Sequence, residues 1–235
     1  MIHNLLSGGD MGWEKTVNIA KMPPGNFRSI AGYASESLVV GRAMICGFII
    51  FVKAWRDSKY DAVLDAHGAL YRIEIKGTAG ESDISTTSGG RAGEQISRQA
   101  ESREKPLSTQ DCDWLIATTS MNGICWIIPV EFIEILQVRQ LKIRDIDLFK
   151  EKWAIFNSTD LNIQPYLKSG YKNLTVKELE RIAINLSIDC SIYQNPENQK
   201  FSFDPQNRRL KKYELDYKSI LVIRIWEKIF KNISV

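Results

Sequence analysis

Histidine is scarce in this chain: there are two in 235 residues, His3 and His67. A Ser-His-Asp or Cys-His hydrolase would have to use His67, at the tip of a hairpin, as its base, and the sequence argues against that class. The four cysteines, Cys46, Cys112, Cys125 and Cys190, are widely spaced with no Cys-x-x-Cys pair, and each lies in or beside an apolar run. Buried, reduced thiols in a reducing compartment are the expectation, and two histidines are too few to complete a structural zinc site with them. Long apolar runs are also missing. The most apolar stretch, Ile45–Val52, is far too short to cross a bilayer, and the N-terminus lacks the basic-then-apolar pattern of a signal peptide. A cytoplasmic protein with no membrane partner is expected. There is no internal repeat and no low-complexity tail. Charge of one sign is lacking too: 31 Lys+Arg against 28 Asp+Glu leave +3, which permits local nucleic-acid patches without arguing for them. Hydrophobic residues at 44% and charged residues at 25% fit one large soluble domain, or a core with a smaller appendage.

What is present centres on Tyr60–Thr78, which reads as two strands turning at His67-Gly68. A two-residue turn pairs Leu64 with Tyr71, Ala62 with Ile73, and Asp61 with Glu74. The first two pairs give one consistent apolar face, and alternation puts Asp61, Glu74 and Lys76 on the other. Directly opposed carboxylates repel across a hairpin. A divalent cation between them reverses the sign of that interaction, and hard oxygen ligands with Lys76 two residues on suit Mg²⁺ handling a phosphate. The plainer alternative is a set of ordinary charges on a solvated hairpin face.

Asp61 followed by Glu74-Ile75-Lys76 at the end of an apolar strand resembles the PD-(D/E)XK nuclease signature. That superfamily includes type II restriction endonucleases, archaeal Holliday-junction resolvases and some intron-encoded homing endonucleases. The order of the surrounding elements adds to the likeness. Phe27–Met44 is helix-like, with Ile30, Ala34 and Leu38 on one stripe and Glu36 away from it. Cys46–Trp55 reads as a strand, and Cys112–Thr119 and Ile124–Val130 as two more joined at Met121-Asn122-Gly123. The resemblance covers Ser29 to Glu134.

It implies a restriction-endonuclease-like α/β fold: a central mixed β-sheet flanked by helices, with a C-terminal, mainly helical extension. The nuclease core would be 27–136. Residues 1–26 would be an N-terminal extension, and 137–235 a part serving DNA recognition or dimerisation. The resemblance also implies that Asp61, Glu74 and the Ile75 carbonyl hold Mg²⁺, with Mn²⁺ able to substitute. Lys76 would orient or help deprotonate the attacking water. Glu36 would reach the metal cluster, although on the residues alone it reads equally as a solvated helix glutamate.

The remaining stretches offer contacts for DNA. The Gly/Ser/Thr-rich run from Gly77 to Gly93 reads as a long loop without regular structure. Arg91–Lys105 reads as a polar helix with Arg91, Gln95, Arg98 and Ser102 on one face. Gln95 and Gln99 are candidates for a glutamine that several family members carry after the catalytic lysine. Arg208, Arg209, Lys211 and Lys212 form a basic run able to neutralise phosphates or simply to be solvated. Short helices are expected at Met11–Met22, ended by Pro23-Pro24-Gly25, and at Asp145–Lys152. A better one is Thr175–Leu186, capped by Thr175 and Glu178, and Ser219–Ile233 is an amphipathic end. The function expected is a Mg²⁺-dependent endodeoxyribonuclease acting on double-stranded DNA as a homodimer, without a nucleotide cofactor, of the type II restriction kind. A Holliday-junction resolvase or homing endonuclease is the alternative within the fold. A non-catalytic DNA-binding module is the alternative outside enzymes.

Overall fold

The computed structural model describes residues 24–53, 58–78, 83–88, 105–119, 122–157, 170–202 and 212–233. The expected helix at Met11–Met22 and the candidate DNA contacts Arg91, Gln95, Arg98, Gln99, Arg208, Arg209 and Lys211 lie outside the described residues.

Helix α1 (Pro24–Ile45) starts three residues before the expected Phe27. The Pro-Gly pair read as a terminator begins it instead, since proline's fixed φ and missing N–H suit a helix's first turn. Gly47 closes α1 at a φ of 87°, its N–H bonded to Met44 (3.0 Å) and the Phe48 N–H to Ala43 (3.1 Å). That closure takes Cys46 and Gly47 out of the expected strand, so β1 (Ile49–Val52) begins three residues after Cys46, while the expected end at Ala54 and Trp55 lies outside the described residues. Then β2 (Ala62–Ala66) and β3 (Ala69–Thr78) form the expected hairpin, with Ala62 opposite Ile73 and Leu64 opposite Tyr71. Its turn uses two left-handed residues, His67 (φ 55°) and Gly68 (φ 94°), the geometry that matches strand twist.

The stretch expected to be a structureless loop holds two short strands, β4 (Asp83–Ser85) and β5 (Thr87–Ser88). β5 pairs with β6 (Lys105–Pro106), so Lys105 is in a strand and not at a helix end. β7 (Trp114–Thr119) and β8 (Cys125–Pro129) pair antiparallel as expected. Val130, expected as a strand end, instead opens α2 (Val130–Leu136), which the sequence reading missed. Pro129 cannot donate to a ladder, and it makes the break between the two elements. β9 (Gln140–Lys142) pairs with β4. The expected helix at Asp145–Lys152 is two 3₁₀ turns, Ile143–Asp145 and Asp147–Phe149. α3 (Val176–Asn185) carries the expected capping box between Thr175 and Glu178. α4 (Ser191–Gln194), the pair β10 (Lys200–Ser202) and β11 (Lys212–Glu214), and α5 (Tyr217–Asn232) complete the described chain. Lys212 of the basic run therefore stands in a strand.

The central sheet has the order β1-β2-β3-β7-β8. β3 and β7 are parallel and the other neighbours antiparallel, which makes it a mixed sheet flanked by helices. α1 packs on β1, β3 and β7, burying Val39 and Ala43 completely. An aromatic chain links the sheet to the C-terminal helix: Phe156 and Trp226 meet the Trp114 ring edge-on at 5.0 and 5.5 Å, and Phe230 meets Phe149 at 4.7 Å. Buried Glu131 of α2 accepts the Trp226 indole N–H at 3.0 Å and the Tyr171 N–H at 2.8 Å. Among the described residues no helix is long and apolar enough to cross a membrane.

Candidate active site

One step beyond the strand pairing Val52–Ala62, the Lys53 N–H bonds to the Asp61 carbonyl at 3.0 Å. On the other side the Asp61 N–H bonds to the Ile73 carbonyl at 2.8 Å. The strands thus carry Lys53, Asp61 and Glu74 in a row on one face, with Lys76 two residues further along β3. Asp61 and Glu74 are each only 8% exposed, which rules out the solvated hairpin face as a description of this end of the ribbon.

Each carboxylate is held. Lys53 Nζ donates to Asp61 Oδ1, and Lys76 Nζ donates to Glu74 Oε1. Asp61 Oδ2 accepts the Ile75 backbone N–H at 2.8 Å. In an extended strand the N–H and C=O of one residue leave toward the same neighbour, so the Ile75 carbonyl lies on the Asp61 side of β3.

Glu36 comes to the cluster from α1, and Gly77 explains how closely that helix approaches. A Cβ on Gly77 would lie 1.9 Å from Ser35 Oγ and 2.5 Å from Ser35 Cβ, so only glycine lets β3 meet the helix there. Ser35 is buried and its hydroxyl donates back to the Ala31 carbonyl at 2.8 Å. Glu36, the next residue, feels the charges of Asp61, Lys53 and Lys76.

Three carboxylates against two ammonium groups leave the cluster one negative charge in excess if all ionise. That excess and the burial both favour the neutral form of the acids. Burial pushes the Glu74 carboxyl up to about 7, with the Asp61 charge adding to the effect and Lys76 and Lys53 opposing it. Burial also raises Glu36, again with Asp61 adding and the two lysines opposing. Burial pulls Lys53 down, but its bond to Asp61 and the fields of Asp61, Glu74 and Glu36 outweigh this and leave it raised.

The donor set fits a hard divalent cation: Asp61 and Glu74 oxygens and a backbone carbonyl, with two ammonium groups already standing where positive charge is wanted. Among the described residues no group of three or more His, Cys, Asp or Glu could hold an ion by itself. Mg²⁺, which keeps several of its waters and uses one or two carboxylates, asks for no more than this pair.

Four of the expected site residues are therefore brought together: Asp61, Glu74 and Lys76 directly, and Glu36 within electrostatic reach. Lys53 was missed. The β1–β2 register, continued by one residue, sets it opposite Asp61, and that register is visible only in the folded sheet. The cysteines are free as expected; three are buried and Cys46 half-buried. Burial pushes the Cys125 thiol up to about 12 and raises Cys112 and Cys190, which makes them poor nucleophiles.

No family profile and no curated protein matches this chain. Among solved structures, a bacterial homing endonuclease, I-Ssp6803I, superimposes with a TM-score of 0.40 at 17% identity, over 48% of this chain and 75% of that one. A likeness of that extent decides nothing about activity.

Proposed function

We propose that the protein is a divalent-cation-dependent endodeoxyribonuclease with the organisation of the PD-(D/E)XK superfamily. The observation that carries this reading is the burial of Asp61 beside Glu74, with Lys76 on Glu74, at one end of a mixed sheet. Two nearly buried acids that feel one another's charge cost stability unless positive charge sits with them, and such arrangements are concentrated at working sites.

Bound there, Mg²⁺ would neutralise charge on a phosphodiester and make a water easier to deprotonate. In this reading Asp61, Glu74 and the Ile75 carbonyl hold the ion, and Mn²⁺ substitutes. Lys76, two residues from Glu74 on the same face, orients the attacking water and stabilises the charge that develops on the phosphate. Glu36 is an outer ligand. The Ile75 N–H keeps the Asp61 carboxylate from rotating away, since it fixes Oδ2 and leaves Oδ1 to the site. The substrate is double-stranded DNA and the working form a homodimer, since cutting both strands of a palindromic site takes two such centres. Within this class we favour a sequence-specific enzyme of the type II restriction kind over a junction resolvase or homing endonuclease.

One observation favours a second reading. Asp61 and Glu74 are already neutralised by lysines, as they would be in a DNA-binding module that no longer cuts. The test is incubation of purified protein with plasmid and with a four-way junction, with and without Mg²⁺. Discrete plasmid bands support restriction, selective junction cutting supports resolution, and binding without cutting supports the module. Lys76→Ala is expected to abolish cleavage and leave DNA binding within about twofold, since one cation among many phosphate contacts contributes little affinity. Undiminished cutting by that variant would falsify the assignment.

A further inference from the structure

We propose that Lys53 is a built-in cation that occupies Asp61 in the resting protein and must be displaced before a divalent ion can fill the site. This rests on the metal reading above and adds a residue to it. Three features of the geometry lead to it. Lys53 is not on the hairpin that carries Asp61, Glu74 and Lys76; it comes from β1, the sheet's edge strand, and follows the last residue of that strand. Its ammonium is on Asp61 Oδ1, the oxygen that the Ile75 N–H leaves to the site. Its side chain is 25% exposed, against 9% for Asp61, so the ammonium has water to move into while the carboxylate does not.

The Lys76 ammonium stands on Glu74 Oε1 two residues along its own strand, so it belongs to the hairpin that builds the site, whereas Lys53 is supplied from outside it. Lys53 therefore competes with a divalent cation for the same oxygen, whereas Asp61 keeps its orientation through Ile75 whichever cation is present.

A merely structural lysine and a competing one differ in sign. If Lys53 only braced the site, its removal would loosen the site and weaken cation binding. If it competes, its removal frees Oδ1 and strengthens binding. The test is calorimetric titration of MgCl₂ and of MnCl₂ into the full chain without DNA, for the wild type, Lys53→Met and Lys53→Arg. Lys53→Met is expected to bind up to about fivefold more tightly, the value of one partly exposed ion pair. It is also expected to lose thermal stability without divalent ions and to regain it when they are added, because Asp61 is left without a counter-charge. Lys53→Arg, with a fork matched to a carboxylate, is expected to bind the ion less tightly than wild type, and it reads the proposal even if Lys53→Met does not fold. Equal or weaker binding by Lys53→Met, or tighter binding by Lys53→Arg, overturns the proposal while leaving the metal site in place. Absence of binding in all three proteins removes the metal site, and this role of Lys53 with it.

Discussion

Replacing Glu74 by glutamine keeps the side chain's shape, keeps an oxygen to accept from Lys76, and removes a buried charge. The carboxyl sits at about 7 in the folded protein against an ordinary 4.5, chiefly because it is buried. At about 1.4 kcal/mol per tenfold in proton affinity, ionised Glu74 costs the folded state about 3 kcal/mol. The sign follows from the direction: the folded protein holds this proton more tightly than the unfolded chain. The stabilisation is complete below pH 4.5 and is lost as pH rises to about 7. Glutamine has no such proton to lose. Glu74→Gln should therefore match the wild type near pH 4.5 and exceed it by about 3 kcal/mol at pH 8, a Tm gap of about 6–12 °C for a chain of this size. The assay is thermal unfolding by circular dichroism across pH 4.5–8 in chelator. Adding Mg²⁺ at pH 8 should raise the Tm of the wild type and not that of the variant. A Tm gap that is absent at pH 8, or that does not change with pH, would refute the burial argument.

Two further outcomes test how the site is supported. Gly77→Ala should destabilise the protein by about 2–3 kcal/mol, because the new methyl meets buried Ser35 at both Oγ and Cβ. Chemical denaturation measures this, and adding Ser35→Gly should recover part of the loss where Ser35→Ala does not. Thr175→Ala removes the capping box of α3 and should cost about 1 kcal/mol by the same measurement; no change would mean that the cap contributes nothing in this context.

The hairpin was legible because its information is local. A two-residue turn and strict alternation fix which side chains stand opposite, so Asp61, Glu74 and Lys76 share a face however the rest of the chain folds. The Thr175–Glu178 box was legible for the same reason, since both partners lie within one turn. Short elements were read less well. α2 has seven residues, too few to display a period, and the β4–β9 and β5–β6 pairs join segments that carry no mark of one another.

By itself the sequence determined the acidic pair, its lysine and the register that aligns them. Tertiary structure alone decided that β3 runs parallel to β7, since a crossover pairing has no local signal, and that α1 lies close enough at Gly77 to deliver Glu36. It also decided that Lys53 meets Asp61 and that Glu74 is deep enough to hold its proton near neutral pH. Desolvation and charge depend on everything packed around a group, and no spacing along the chain encodes that.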